Sequence, residues 1–248
     1  MRGTNPSSGQ DTGFSLQSFD PDGVAVVFGS SGGIGSALLS SLTGAAHFKA
    51  VIGFSRQSAI PIDLTVEASL ARAAEAAAAL GNIRLVIDAT GYLHDNDQGP
   101  EKTWRDLDAH KLANAFAINT IGPALIMKHV LPKLPRAGKC VFSTLSARVG
   151  SIDDNRLGGW YAYRASKAAL NQMVRTASIE LARRAPDALC VALHPGTVDT
   201  PLSSPFAKSG LNLNTPDQAA AHLLNVLDDL DKGDSGGFFD WRGAPVPW

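Results

Sequence analysis

The sequence predicts an α/β fold, a single doubly wound domain in which helices cover both faces of a mostly parallel sheet. Three observations predict it. From Val24 onward, short β-rich apolar runs alternate with longer helical patterns. The runs are apolar throughout rather than alternating with polar residues, as strands buried on both faces are. The first run also leads through a glycine-rich turn straight into a helix. With 248 residues, 44% of them hydrophobic, the chain can bury one sizeable core, and single α/β domains reach about 250 residues.

In chain order, the strand candidates are Val24 to Phe28, Ala50 to Phe54, a short Ile60 to Ile62, Leu85 to Ala89, Lys139 to Ser143, Leu189 to His194 and a terminal piece at Gly237 to Phe239. The helical stretches between them are Gly33 to Leu42, Val66 to Leu80, Trp104 to Leu131, Tyr161 to Arg184 and Pro216 to Leu230. The block Ala71 to Leu80 is alanine-rich because alanine is the strongest helix former. Met1 to Gly23, rich in Gly, Ser, Asp and Thr and lacking the apolar centre of a secretory signal, reads as a mobile leader ahead of a catalytic domain over residues 24–248. Cys140 and Cys190 each sit inside an apolar run, as reduced core thiols of a cytoplasmic protein do.

Composition excludes several functions. Twenty-two Lys and Arg against 23 Asp and Glu give a net charge of -1, without the basic excess of a nucleic-acid binder. No apolar run approaches the roughly 18 residues a membrane span needs. His47, His94, His110, His129 and His222 are scattered without metal-ligand spacing, so no metal site is expected.

The turn after the first strand reads Gly29-Ser30-Ser31-Gly32-Gly33-Ile34-Gly35 and opens a helix. Glycine removes the Cβ that would keep a pyrophosphate off the backbone, and the free amides at the positive end of a helix dipole attract the anion. Further along, Tyr163 and Lys167 are four apart on an expected helix, so both side chains emerge on one face.

Taken with Asp63-Leu64, Asp88-Ala89-Thr90-Gly91, Asn119 and Pro195-Gly196, these motifs resemble the short-chain dehydrogenase/reductase family over essentially all of Val24 to Trp248. The stretch Gly150-Ser151-Ile152 through Tyr161-Ala162-Tyr163-Arg164-Ala165-Ser166-Lys167 is most similar to its C-factor and Sniffer-like branch of carbonyl reductases and signalling proteins. The resemblance implies a Rossmann-type domain with seven strands in the order 3-2-1-4-5-6-7. It also implies hydride transfer between a nicotinamide cofactor and a small carbonyl or alcohol substrate, in a homodimer or homotetramer.

By the same resemblance Tyr163 is the general acid, and Lys167 lowers its pKa and holds the nicotinamide ribose. Tyr161 competes by position, but its partner four residues on is Ala165, which offers no ammonium. The backbone carbonyl of Asn119 holds a relay water, in a segment where Gly122 and Pro123 disturb the helix. The family's substrate-binding serine falls within Ser146-Ala147-Arg148-Val149-Gly150. An ungapped reading puts Ala147 there, whereas a shift by one residue puts Ser146 there, with Ser143 and Thr144 as more distant donors. Ser146 is the expected residue.

Cofactor choice is read at the end of the second strand, Gly53-Phe54-Ser55-Arg56, where no carboxylate stands to accept from a ribose. Arg56 with Ser55 favours the 2′-phosphate of NADPH over NADH. Asp63 and Leu64 are expected at the adenine, and Ala89, Thr90 and Gly91 along the ribose side. Gly29, Ser31, Gly33, Ile34 and Gly35 are expected at the pyrophosphate. Pro195, Gly196, Thr197, Val198 and Thr200 should reach the nicotinamide carboxamide and the pyrophosphate. The segment from Pro201 to Asn214 reads as a lid over the substrate, and Leu93 to Pro100 as part of its wall.

Overall fold

The structure, a computed structural model, describes residues 13–94, 99–202 and 213–248. Among the described residues, six parallel strands form one sheet in the order β2-β1-β3-β4-β5-β6. They are β1 (Val24–Phe28), β2 (Ala50–Phe54), β3 (Ile83–Asp88), β4 (Cys140–Leu145), β5 (Ala188–His194) and β6 (Phe238–Asp240). The two-residue period of a strand divides the core. Val24, Val26 and Phe28 point into a cluster shared with α2 (Glu67–Ala79), α4 (Gly122–Val130) and α5 (Tyr161–Arg184). Ala25 and Val27 point the other way, toward α1 (Gly33–Ala45) and α6 (Pro216–Asp229).

The seventh strand expected at Ile60 to Ile62 does not form, so β2 is the sheet edge. Pro61 has no N–H to give a ladder, and the Ser58 hydroxyl holds the segment in a turn through the carbonyls of Ser55 and Ile60 at 2.9 and 2.7 Å. Ile62 is still buried in the core. The long helix expected over Trp104 to Leu131 is divided: a short 3-10 turn at Trp104–Asp106, α3 (Ala109–Phe116), a π turn at Ala117–Ile121, and α4. The Asp108 carboxylate starts α3 by accepting from the Lys111 amide at 3.0 Å.

The end of the expected leader is part of the domain. Leu16 and Phe19 are 4% and 2% exposed and pack with the α1/α6 cluster. The Ser15 amide donates to the Asn225 side chain at 2.9 Å, and Ser18 donates from amide and hydroxyl to Asp228. Residues 1–12 of the leader, and most of the lid expected over residues 201–214, lie outside the described residues.

Candidate active site

The residues singled out in the sequence gather at the carboxyl ends of β1 to β5, where the crevice of an open parallel sheet lies. After β1, Gly29 has φ +77°, and a Cβ on it would come within 2.9 Å of the Ala89 backbone. A Cβ on Gly35 would sit 2.2 Å from the Gly29 carbonyl oxygen, so the turn can exist only with glycine at both positions. Gly33 lies directly under Thr200, bringing the turn after β5 onto the start of α1. Gly32 caps α1 without a side chain, and no acid stands in the first turn, so its first amides face the cleft uncapped. Ser31 is exposed there, while Ile34 turns inward to the core.

After β2, the Ser55 hydroxyl accepts from the Gln57 amide at 3.1 Å and shapes the turn. Arg56 is exposed and makes no ion pair or hydrogen bond among the described residues. It lies close to Asp63, whose carboxyl is held below the usual range by hydrogen bonds from the Thr65 hydroxyl and amide and, more weakly, by Arg56. Leu64 packs against Gly122 of α4. An exposed guanidinium beside a turn with no carboxylate at the strand end, together with an uncapped glycine-rich helix start, fits a dinucleotide that carries an extra phosphate.

Between β3 and α5 lies a buried polar network. Asp88 is 0% exposed and accepts from the Thr90 hydroxyl at 2.6 Å and the Thr144 hydroxyl at 2.8 Å. Lys167 is 2% exposed, and its ammonium donates to the Leu145 carbonyl at 2.7 Å. Burial pushes Lys167 down to about 8, with Asp88 pulling the other way. Burial pushes the Tyr163 phenol up to about 12, so it holds its proton at neutral pH. The Lys167 ammonium stands 5.9 Å from the Tyr163 ring centroid, one helical turn away. Asn119, fully buried in the π turn, accepts from the Tyr92 amide and donates to the Tyr92 carbonyl, both at 2.8 Å, and donates to the Ser166 hydroxyl at 3.1 Å. It ties the loop after β3 to the helix carrying Tyr163.

Ser146 is the serine expected at the substrate oxygen. Its hydroxyl is 3% exposed and donates to the Asn171 side chain of α5 at 2.6 Å, away from the pocket that Tyr163 lines. Ala147 follows in extended backbone, so its methyl points to the opposite side. Ser143 and Thr144 are committed to the Val86 carbonyl and to Asp88. After β5, Gly196 has φ +80°, Val198 is buried, and Thr197 is exposed. His194 is a packing residue, held down to about 4 by burial and by Arg148, with Asp240 opposing.

Two residues of the site carry no signal that the sequence reading used. Glu101, in the loop after Gly99-Pro100, reaches the first turn of α5, a contact no local pattern announces. Asn171 could have been found: it continues the four-residue spacing of Tyr163 and Lys167 along one helix face.

A family model described as Enoyl-(Acyl carrier protein) reductase matches residues 38–225. The chain belongs to the short-chain dehydrogenase/reductase family. As a short-chain dehydrogenase/reductase it is an NAD(P)-dependent oxidoreductase with a single Rossmann-like domain. The C-signal of Myxococcus xanthus is 38% identical over 156 residues, 62% of this chain and 90% of that protein. The 1-hydroxy-2-glutathionyl-2-methyl-3-butene dehydrogenase of Rhodococcus sp. (strain AD45) is 36% identical over 142 residues, and the match spans 61% of its length. Among solved structures, the NADPH-bound carbonyl reductase from chicken fatty liver superposes with a TM-score of 0.79 at 26% identity, covering 92% of this chain and 99% of that one. The carbonyl reductase Sniffer of D. melanogaster gives the same TM-score of 0.79 at 21% identity, over 92% of this chain and 100% of that one, a likeness of fold.

Proposed function

We propose that this short-chain dehydrogenase/reductase is an NADPH-dependent reductase of small aldehydes or ketones, over a catalytic domain that includes residues 24–248. The reading is carried by Tyr163 and Lys167, one helical turn apart at the carboxyl end of the sheet, beside a glycine turn built for a pyrophosphate. When bound, the reduced nicotinamide supplies the hydride that adds to a carbonyl carbon. Tyr163 gives its phenolic proton to the oxygen as negative charge develops there. The Lys167 ammonium stabilises the phenolate left behind, and its hydrogen bond to Leu145 fixes it in place. Asn119 holds the loop and α5 in register, and its backbone carbonyl in the π turn anchors the water through which Lys167 recovers a proton.

Arg56 meets the 2′-phosphate. Ser55 and Asp63 with Leu64 border the adenosine, Ala89, Thr90 and Gly91 the ribose, and Pro195, Gly196, Thr197, Val198 and Thr200 the nicotinamide side. A homodimer or homotetramer in the cytoplasm belongs to the same proposal. NADPH consumption with a panel of aldehydes, ketones and quinones tests it, with turnover of at least one carbonyl expected and none overturning it. A second reading is a cofactor-binding signalling or sensor protein with little turnover. Ser146 favours it, because its hydroxyl is engaged by Asn171 and the next residue is Ala147. Tight NADPH binding without turnover supports that alternative.

A further inference from the structure

Asp88 closes β3 with its side chain fully buried, and a carboxylate there is costly unless donors and a counter-charge meet it. Both of its oxygens are met. Oδ1 accepts from the Thr90 amide at 3.1 Å and from the Thr90 hydroxyl at 2.6 Å, and Oδ2 accepts from the Thr144 hydroxyl at 2.8 Å. Thr144 is the β4 residue in register with Asp88, and the carbonyl of the next residue, Leu145, accepts from the Lys167 ammonium at 2.7 Å. The two buried charges are thus fastened to consecutive residues of one strand. The turn that Thr90 holds also brings Gly91 against the site, where a Cβ would lie 3.9 Å from the Lys167 nitrogen and 3.8 Å from the Asn119 side-chain oxygen.

The other groups around the ammonium are uncharged at neutral pH. Its own helix presents Tyr163, the π turn presents Asn119, and β4 presents the Leu145 carbonyl. Arg148, in the turn after β4, is taken up by Asp154 and Asp240. Among the described residues Asp88 is the one charged group acting on Lys167, and it opposes the burial that would strip the ammonium of its proton. We infer that Asp88 is a positioning residue of this site, its carboxylate serving as the internal counter-ion that keeps Lys167 charged while its hold on Thr90 sets Gly91 beside that ammonium. The pairing stands on its own. Its part in turnover rests on the reductase reading, in which a charged Lys167 faces the phenolate of Tyr163.

Asp88→Asn tests it, because the amide keeps an oxygen for Thr90 and turns its NH₂ to the Thr144 hydroxyl, so the bonding survives and the charge alone goes. Lysine isotopically labelled at Cε is titrated by NMR in the parent and the variant, the Lys167 signal being identified by its loss in Lys167→Met. The parent midpoint is expected at about 8, below the ordinary 10.5 of a lysine. Removing the charge should lower it by about one pH unit or more. Since the ammonium is the working form, the fall in kcat/KM for carbonyl reduction with rising pH should move down by the same amount. An unchanged midpoint overturns the inference, even if activity is lost at every pH, and carbonyl turnover by the parent then leaves the reductase reading standing. An alkaline fall that stays in place in an active enzyme overturns it as well. A midpoint that moves in a protein that reduces no carbonyl keeps the pairing and overturns the reductase reading. If Asp88→Asn does not fold, aspartate labelled at its carboxyl carbon gives the reciprocal measurement in Lys167→Met. There the Asp88 signal should titrate at higher pH than in the parent, and equal midpoints would refute the pairing.

Discussion

Ser146→Ala and Ala147→Ser should have opposite consequences. The Ser146 hydroxyl is buried and donates to Asn171 at 2.6 Å, while the other polar atom of that side chain, Nδ2, already lacks a partner among the described residues. Removing the hydroxyl leaves the whole buried amide unsatisfied, a cost of about 1–3 kcal/mol. In a domain of this size that lowers Tm by roughly 2–10 °C. Turnover per folded molecule should fall by less than about fivefold, since the hydroxyl touches neither the Tyr163 pocket nor the Lys167 ammonium. Ala147→Ser adds a hydroxyl on the opposite side of the extended backbone. If it supplies the donor the site lacks, kcat should rise by about tenfold or more, because hydrogen bonds to a developing oxyanion carry factors on the order of 10². Differential scanning fluorimetry and steady-state NADPH kinetics read the two effects separately. A hundredfold loss of kcat in Ser146→Ala with an unchanged Tm would refute the placement of that hydroxyl.

Tyr163→Phe should abolish reduction while NADPH binding by fluorescence titration is unchanged, and activity surviving there would move the proton to Tyr161. Arg56→Ala should weaken NADPH by about tenfold or more and leave NADH affinity as it was, the factor of a charge-assisted phosphate contact; equal loss for both cofactors would refute the assignment. Burial and Arg148 hold His194 down to about 4 against an ordinary 6.5, so between those values the unfolded chain binds a proton that the folded one does not. Folding stability that His194 leaves intact above pH 6.5 is therefore lost as pH falls toward 4. His194→Leu should flatten the drop in urea midpoint between pH 7 and pH 4.5, and an unchanged slope would count against it.

What the sequence announces here is what neighbours along the chain decide. Gly29, Gly33 and Gly35 are legible because the turn must fit within seven residues, and Tyr163 with Lys167 because a helix puts i and i+4 on one face. The span Tyr161–Arg184 is found to the residue, since its pattern is long and uninterrupted. Contacts between distant segments leave no such trace. Ser146 and Ala147 differ only in which way the backbone faces after β4, and the choice is set by Asn171, far along the chain. Ile60 to Ile62 has a strand's composition, yet Pro61 and the Ser58 hydrogen bonds turn it. The break in the helix at Ala117–Ile121 is foreshadowed by Gly122-Pro123, but its π geometry depends on Asn119 reaching Tyr92 and Ser166.

The segment ahead of β1 bears on where this domain can be cut. A fragment designed to start at Val24, where the sheet begins, would remove Leu16 and Phe19 from the seam between α1 and α6. It would also strip Asp20 from the guanidinium of Arg84, whose side chain is only 11% exposed. The seam would then open a strip of bare Leu and Phe surface to water, and an arginine seated in the core would lose its counter-charge. Expression of such a fragment should give aggregates, whereas one starting at Gly13 keeps the cover in place and the arginine paired.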